Sequence, residues 1–176
     1  PDYRPIALIR RESKQPRRRT RFVASRRHQR WQCDAKGPFE VLLTTGSLEA
    51  LLHLVTLHLR EDFAVPHVAL RVWNGAAASG LPEFAPVSEG VREIAAGLAQ
   101  PYCGGHAAEE LVKWFGEDGE RLRSFALVPL KHERLLGLLV LASEDAQRFY
   151  PEMGTLYLKR LGELVGTALE RYAGQG

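Results

Sequence analysis

Cysteine and methionine are scarce in this chain, with two cysteines and one methionine in 176 residues. Cys33 and Cys103 lie far apart in unlike surroundings, so they give neither a disulfide framework nor a zinc-ligand pair, which fits a reducing cytoplasm. Long apolar runs are also missing: charges interrupt every candidate before the ~18 residues that a membrane span needs. The N-terminus is basic but lacks the apolar middle of a secretory signal. The expectation is a cytoplasmic protein with no membrane association. No G-x-G-x-x-G, P-loop, carboxylate dyad or nucleophile elbow occurs. His53 and His58 are five apart and share no helix face, so they make no metal site. The residues name no cofactor.

What is present is an ordinary globular composition, 45% apolar and 26% charged, on a length that suits one domain with an extension. The net charge of +3 conceals an asymmetry. Residues 1–44 hold 12 Lys/Arg against 4 Asp/Glu, and residues 45–176 hold 12 against 17. An acidic domain thus carries a basic arm.

Arg17, Arg18, Arg19, Arg26 and Arg27 are the densest part of that arm, which Pro5, Pro16 and Pro38 interrupt. Like charges repel and its few apolar residues show no period, so it is expected to form no core. Three readings stay open. The arm is a solvated tail, or it binds nucleic-acid phosphates while Phe22, His28 and Trp31 stack on bases, or the stretch lies outside the native reading frame.

From residue 45 to 173 the pattern changes, leaving 174–176 as a tail. Thr45 or Ser47 caps a helix that begins at Leu48 and runs to about Asp62. Val65 to Trp73 alternates as a strand, with Val68, Leu70 and Val72 on one face and His67, Ala69 and Arg71 on the other. A short edge strand is expected at Glu83–Val87, between Pro82 and Pro86. Ser88 caps a helix from Glu89 to Leu98. Pro101–Gly105 reads as irregular and His106–Phe115 as a short helix. Ser124–Leu130 reads as a strand buried on both faces, Lys131–Arg134 as a hairpin turn, and Leu135–Leu141 as the returning strand. Gly137 marks a bulge or a close backbone approach. A closing amphipathic helix follows the stretch Arg148-Phe149-Tyr150-Pro151-Glu152-Met153-Gly154-Thr155. This order predicts an α+β fold, an antiparallel sheet flanked by helices.

The Ser124-Phe125-Ala126-Leu127-Val128-Pro129-Leu130 strand, the charged turn and Gly137-Leu138-Leu139-Val140-Leu141 resemble a GAF domain. Leu59-Arg60-Glu61-Asp62-Phe63, Val68-Ala69-Leu70-Arg71, Cys103-Gly104 and the Arg148–Thr155 stretch resemble, more closely, the bacterial GAF-like family called domain of unknown function 484. The resemblance implies a GAF fold, a pocket over the sheet and helix-mediated dimers, and no settled activity. Members normally carry a heptad-like helix ahead of the domain, a pattern that residues 1–44 do not show.

The candidate pocket residues are Arg71, Tyr102, Cys103, Gly104, His106 and Phe125. A thiol at a helix entrance beside a histidine suits redox chemistry, while the commoner reading of Cys103 is a partly buried structural cysteine before a helix. The multiple-cysteine set of the GAF-fold methionine-sulfoxide reductases is missing. Arg71 suits a ligand carboxylate or phosphate, or a surface ion pair. Tyr102, Trp114, Phe115 and Phe125 suit a planar ring, or the core. His67 and His132 read as positions without partners. The first functional expectation is a non-enzymatic regulatory domain that binds a small molecule or a partner protein and forms homodimers. The alternatives are a thiol redox centre at Cys103 and a nucleic-acid-associated protein acting through the arm. The dimer contact is expected on the first and last helices, through Leu54, Leu57, Leu158 and Leu169.

Overall fold

A computed structural model describes residues 44, 46–73 and 80–173 of the chain. The basic arm, including Arg17, Arg18, Arg19, Arg26 and Arg27, and the Thr45 cap lie outside the described residues.

Helix α1 (Leu48–Glu61) starts at Ser47, whose hydroxyl accepts from the Ala50 amide at 3.2 Å, with Glu49 at the positive end of the helix. Strand β1 (His67–Val72) follows, then a 3-10 turn at Pro82–Phe84. Helix α2 (Glu89–Gly97) is capped by Ser88, β2 (Tyr102–Gly104) is a three-residue strand, and α3 (Glu109–Lys113) leads into a 3-10 segment at Gly116–Arg121. Strands β3 (Ser124–Lys131) and β4 (Leu135–Ser143) form the hairpin, and α4 (Leu156–Ala173) closes the domain.

The sheet has the order β1-β4-β3-β2 and every neighbouring pair is antiparallel. Helices flank it on both sides. Val68, Leu70 and Val72 share one face with Leu139, Leu141, Ala126, Val128 and Cys103, and this face packs under α1 and α4. Leu138, Val140 and Leu127 lie on the other face, under α2 and α3. Seven of the eight β3 residues are buried, because that central strand has helices on both sides.

Helices α1 and α4 lie side by side. The Phe63 ring, just beyond α1, tilts against Tyr157 near the start of α4 at 5.3 Å between centroids. Two glycines let α4 settle on β3. A Cβ at Gly162 would fall 2.6 Å from the Pro129 carbonyl oxygen, and one at Gly166 would fall 2.7 Å from that of Lys131. Gly137 plays the same part within the sheet, since a Cβ there would run into the Arg71 carbonyl of β1.

Four expectations are corrected. Glu83–Val87 is not an edge strand. Pro82 and Pro86 lack amide hydrogens, and the amides of Phe84 and Ala85 instead close turns onto Leu81 and Pro82 at 3.1 Å. Pro101–Gly105 is not irregular throughout, since Tyr102–Gly104 pairs with Phe125–Leu127 as β2. The helix expected over His106–Phe115 is confined to Glu109–Lys113, because its Ala108 cap supplies no side-chain acceptor and nothing holds the preceding turn. Leu158 and Leu169 are not free for a dimer contact, because both are buried against the sheet within the chain.

Candidate functional site

Strand alternation decides which candidates meet. The ladders align His67, Ala142, Phe125 and Gly104 in one row, Ala69, Val140, Leu127 and Tyr102 in the next, and Arg71, Leu138 and Pro129 in the third, all on the face under α2 and α3. Cys103 pairs with Ala126 and so belongs to the opposite face. Arg71 and Tyr102 also occupy the two outer strands, three inter-strand spacings or roughly 14 Å apart. Buried Leu127, Leu138 and Val140 fill the space between them. The register therefore puts Cys103 on the opposite face from Arg71, Tyr102, Gly104 and Phe125, and Arg71 and Tyr102 at opposite edges of the sheet.

Arg71 is half-buried, with its guanidinium 5.0 Å from the centre of the Trp114 ring. Its Nη1 donates to the Leu70 carbonyl at 2.9 Å. Burial pushes its pKa down and the nearby charge of Glu83 pushes it back up. Among the described residues no carboxylate forms an ion pair with it. The surface ion pair that a strand-end arginine also suggests is not made among the described residues, and the cation is braced on an indole instead.

Cys103 is 6% exposed and packs among core residues. Loss of water pushes its thiol from 9.0 up to about 11, away from the reactive thiolate. The helix expected at its side begins only at Glu109, so no free helix amides reach it. His106 is exposed beyond the end of β2, and no hydrogen bond joins it to Cys103 among the described residues. Tyr102 is exposed and curls its hydroxyl over Gly104, where any side chain would collide with it. Phe125 packs with Leu122 and Ala142 as core.

The histidines have partners that sequence reading missed. His67 lies between Glu144, 3.3 Å from Nε2, and Asp118, 3.8 Å from Nδ1, with Phe115 edge-on to its ring. His132 of the hairpin pairs with Glu170 of α4, and His58 pairs with Asp62 at 2.6 Å. The first two pairs are far apart in sequence, so only the fold reveals them. The i,i+4 spacing of His58 and Asp62 was a legible signal. Among the described residues, no group of histidines, cysteines and carboxylates could hold a metal ion.

A groove of about 550 Å³, also missed, runs between α1 and the turn at Leu81–Glu83. Glu49, His53 and Thr56 line it from the helix, and Leu81, Pro82 and Glu83 line it from the turn, with Leu52 between.

The Arg148–Thr155 stretch is structural. Phe149 is fully buried and Met153 is 6% exposed, both in the layer under α1 and α4. The Arg148 guanidinium donates to the Phe63 carbonyl beyond the end of α1. Buried Ser124 donates to the Asp145 carbonyl at 2.7 Å and accepts from the Phe149 amide at 3.4 Å. The stretch ties the end of the sheet to α1 and aims α4.

An antiparallel sheet enclosed by two helical layers, with an arginine braced on tryptophan and a groove at one edge, describes a small α+β domain. Residues 18–174 match the protein family of unknown function DUF484, and the chain belongs to that family. The match begins within the basic arm, so the family unit extends ahead of α1. Among curated proteins, none matches the chain.

Proposed function

We propose that this chain is a non-enzymatic, GAF-like regulatory domain that binds a small molecule through an anionic group held by Arg71. The observation that carries the reading is the half-buried Arg71 guanidinium, braced on Trp114 and without an ion pair among the described residues. A desolvated guanidinium offers a planar fork of donors that matches a carboxylate or phosphate in two parallel bonds. Glu83 partly offsets the effect of burial on the cation and lies outside ion-pair distance, so it does not occupy the donors that remain beside the bond to the Leu70 carbonyl.

The burial and raised pKa of Cys103 weigh against the redox alternative. Self-association stays in this reading on a smaller surface than Leu158 and Leu169 would have given. Leu57, 41% exposed on α1, and Leu156, 62% exposed at the start of α4, are the apolar side chains that would carry it. Sedimentation of the wild type against Leu57→Glu, Leu156→Glu measures this part separately.

The ligand test is thermal shift and calorimetry with small carboxylates and phosphates, on wild type and Arg71→Gln. A compound that stabilises the wild type should bind the variant at least tenfold more weakly. If no compound binds, or Arg71→Gln binds as well as wild type, the reading fails.

A further inference from the structure

The groove between α1 and the Pro82–Phe84 turn serves the chain itself. We propose that residues 26–31 of the basic arm dock in it, with Arg26, Arg27 and Arg30 on Glu49 and Glu83 and Trp31 against the apolar wall.

Four observations converge on this occupant. The lining carries two carboxylates, Glu49 and Glu83, and neither lysine nor arginine, while Leu52, Leu81 and Pro82 give it an apolar side. A segment that combines Arg26, Arg27 and Arg30 with Trp31 complements both. The arm is tethered at the rim, because Ser47 lines the groove and the arm precedes it in the sequence. The charges are divided in the same sense, a strongly basic stretch up to residue 44 and an acidic remainder. Finally, the family match begins at residue 18, so residues 26–31 belong to the same unit as the domain.

Reach and direction allow the docking. The groove follows α1 from Ser47 to Thr56, roughly 14 Å at the helical rise. The chain between Trp31 and Ser47 exceeds that length several times when extended. Gly37-Pro38 lies within it as a turn signal, which lets the segment fold back along the helix. The contact rests on charge pairs at a surface, so salt and competing polyanions weaken it. While docked, these arginines are withheld from phosphate; a nucleic acid must displace them before it gains them.

A cross-link in the full chain tests the arrangement, because native Cys33 lies two residues beyond Trp31 and Cys103 is buried. His53→Cys places a thiol in the groove, and Glu163→Cys places one on the exposed face of α4. With diamide at low salt, the first variant should form an intrachain disulfide with Cys33 in at least tenfold higher yield than the second. Adding Glu49→Lys and Glu83→Lys to the first should cut that yield at least fivefold while the circular dichroism is unchanged. Equal yields at the two positions, a yield indifferent to charge reversal, or a disulfide formed mainly between two chains would each overturn the proposal. Glu83 also acts on Arg71, so Glu49→Lys alone is the variant that is independent of the Arg71 site, and it should lower the first yield in the same direction.

Discussion

Cys103 stands opposite Ala126 on the β2–β3 ladder, and this pairing turns its side chain into the layer beneath α1 and α4. The folded protein should therefore react slowly with iodoacetamide at neutral pH and rapidly once unfolded. The thiol is raised from 9.0 to about 11 in the fold, so the unfolded chain loses this proton first. Any stability linked to it is intact below pH 9 and is lost as pH rises toward 11. Denaturant midpoints of wild type and Cys103→Ala across that range measure the effect. A thiol that labels as fast folded as unfolded would contradict the burial.

Leu158→Ala should destabilise the monomer by about 2–5 kcal/mol, the range for emptying a packed leucine site. Leu156→Ala, two residues earlier and 62% exposed, should cost under about 0.5 kcal/mol. Urea denaturation of both distinguishes a core position from a surface one. Equal effects would mean that α4 is rotated from the orientation described.

Gly166→Ala sets helix propensity against space. Alanine favours the helix by about 1 kcal/mol over glycine, but its Cβ would fall 2.7 Å from the Lys131 carbonyl oxygen. The strand must give way, so a net loss of roughly 1–2 kcal/mol is expected. Gly97→Ala, where a Cβ meets nothing within 4 Å, should instead gain about 0.5–1 kcal/mol. Opposite signs in the two melting temperatures are the expected result.

Ser124→Ala should cost about 1–3 kcal/mol, because it removes the buried hydroxyl that joins the Asp145 carbonyl to the Phe149 amide and leaves that carbonyl with the Arg148 amide alone. Hydrogen exchange should show faster opening at Phe149. Unchanged protection there would separate Ser124 from the Arg148–Thr155 stretch.

Much of the fold was legible because long elements display their period. The Ser47 cap, the alternation of Val68, Leu70 and Val72, the hairpin at Lys131–Arg134 and the close approach at Gly137 could all be read locally. Tyr102–Gly104 could not, since three residues are too few to show a period. The candidate site was less legible still. Alternation gave the face of Arg71, but the face of Cys103 follows from the β2–β3 register, which only long-range pairing sets. The Glu144 partner of His67 and the Glu170 partner of His132 come from other elements. The four-residue spacing of Gly162 and Gly166 was a visible sign of close helix packing that went unread.

The contact at those two glycines has a mechanical consequence. Where main chain bears directly on main chain, there are no side chains to change rotamer and absorb a displacement. Hairpin and helix are also joined near the turn by His132 and Glu170. The hairpin and the C-terminal half of α4 are therefore coupled with little side-chain give between them. The domain thus possesses a stiff line of transmission from its sheet to its last helix, whatever signal is placed upon it.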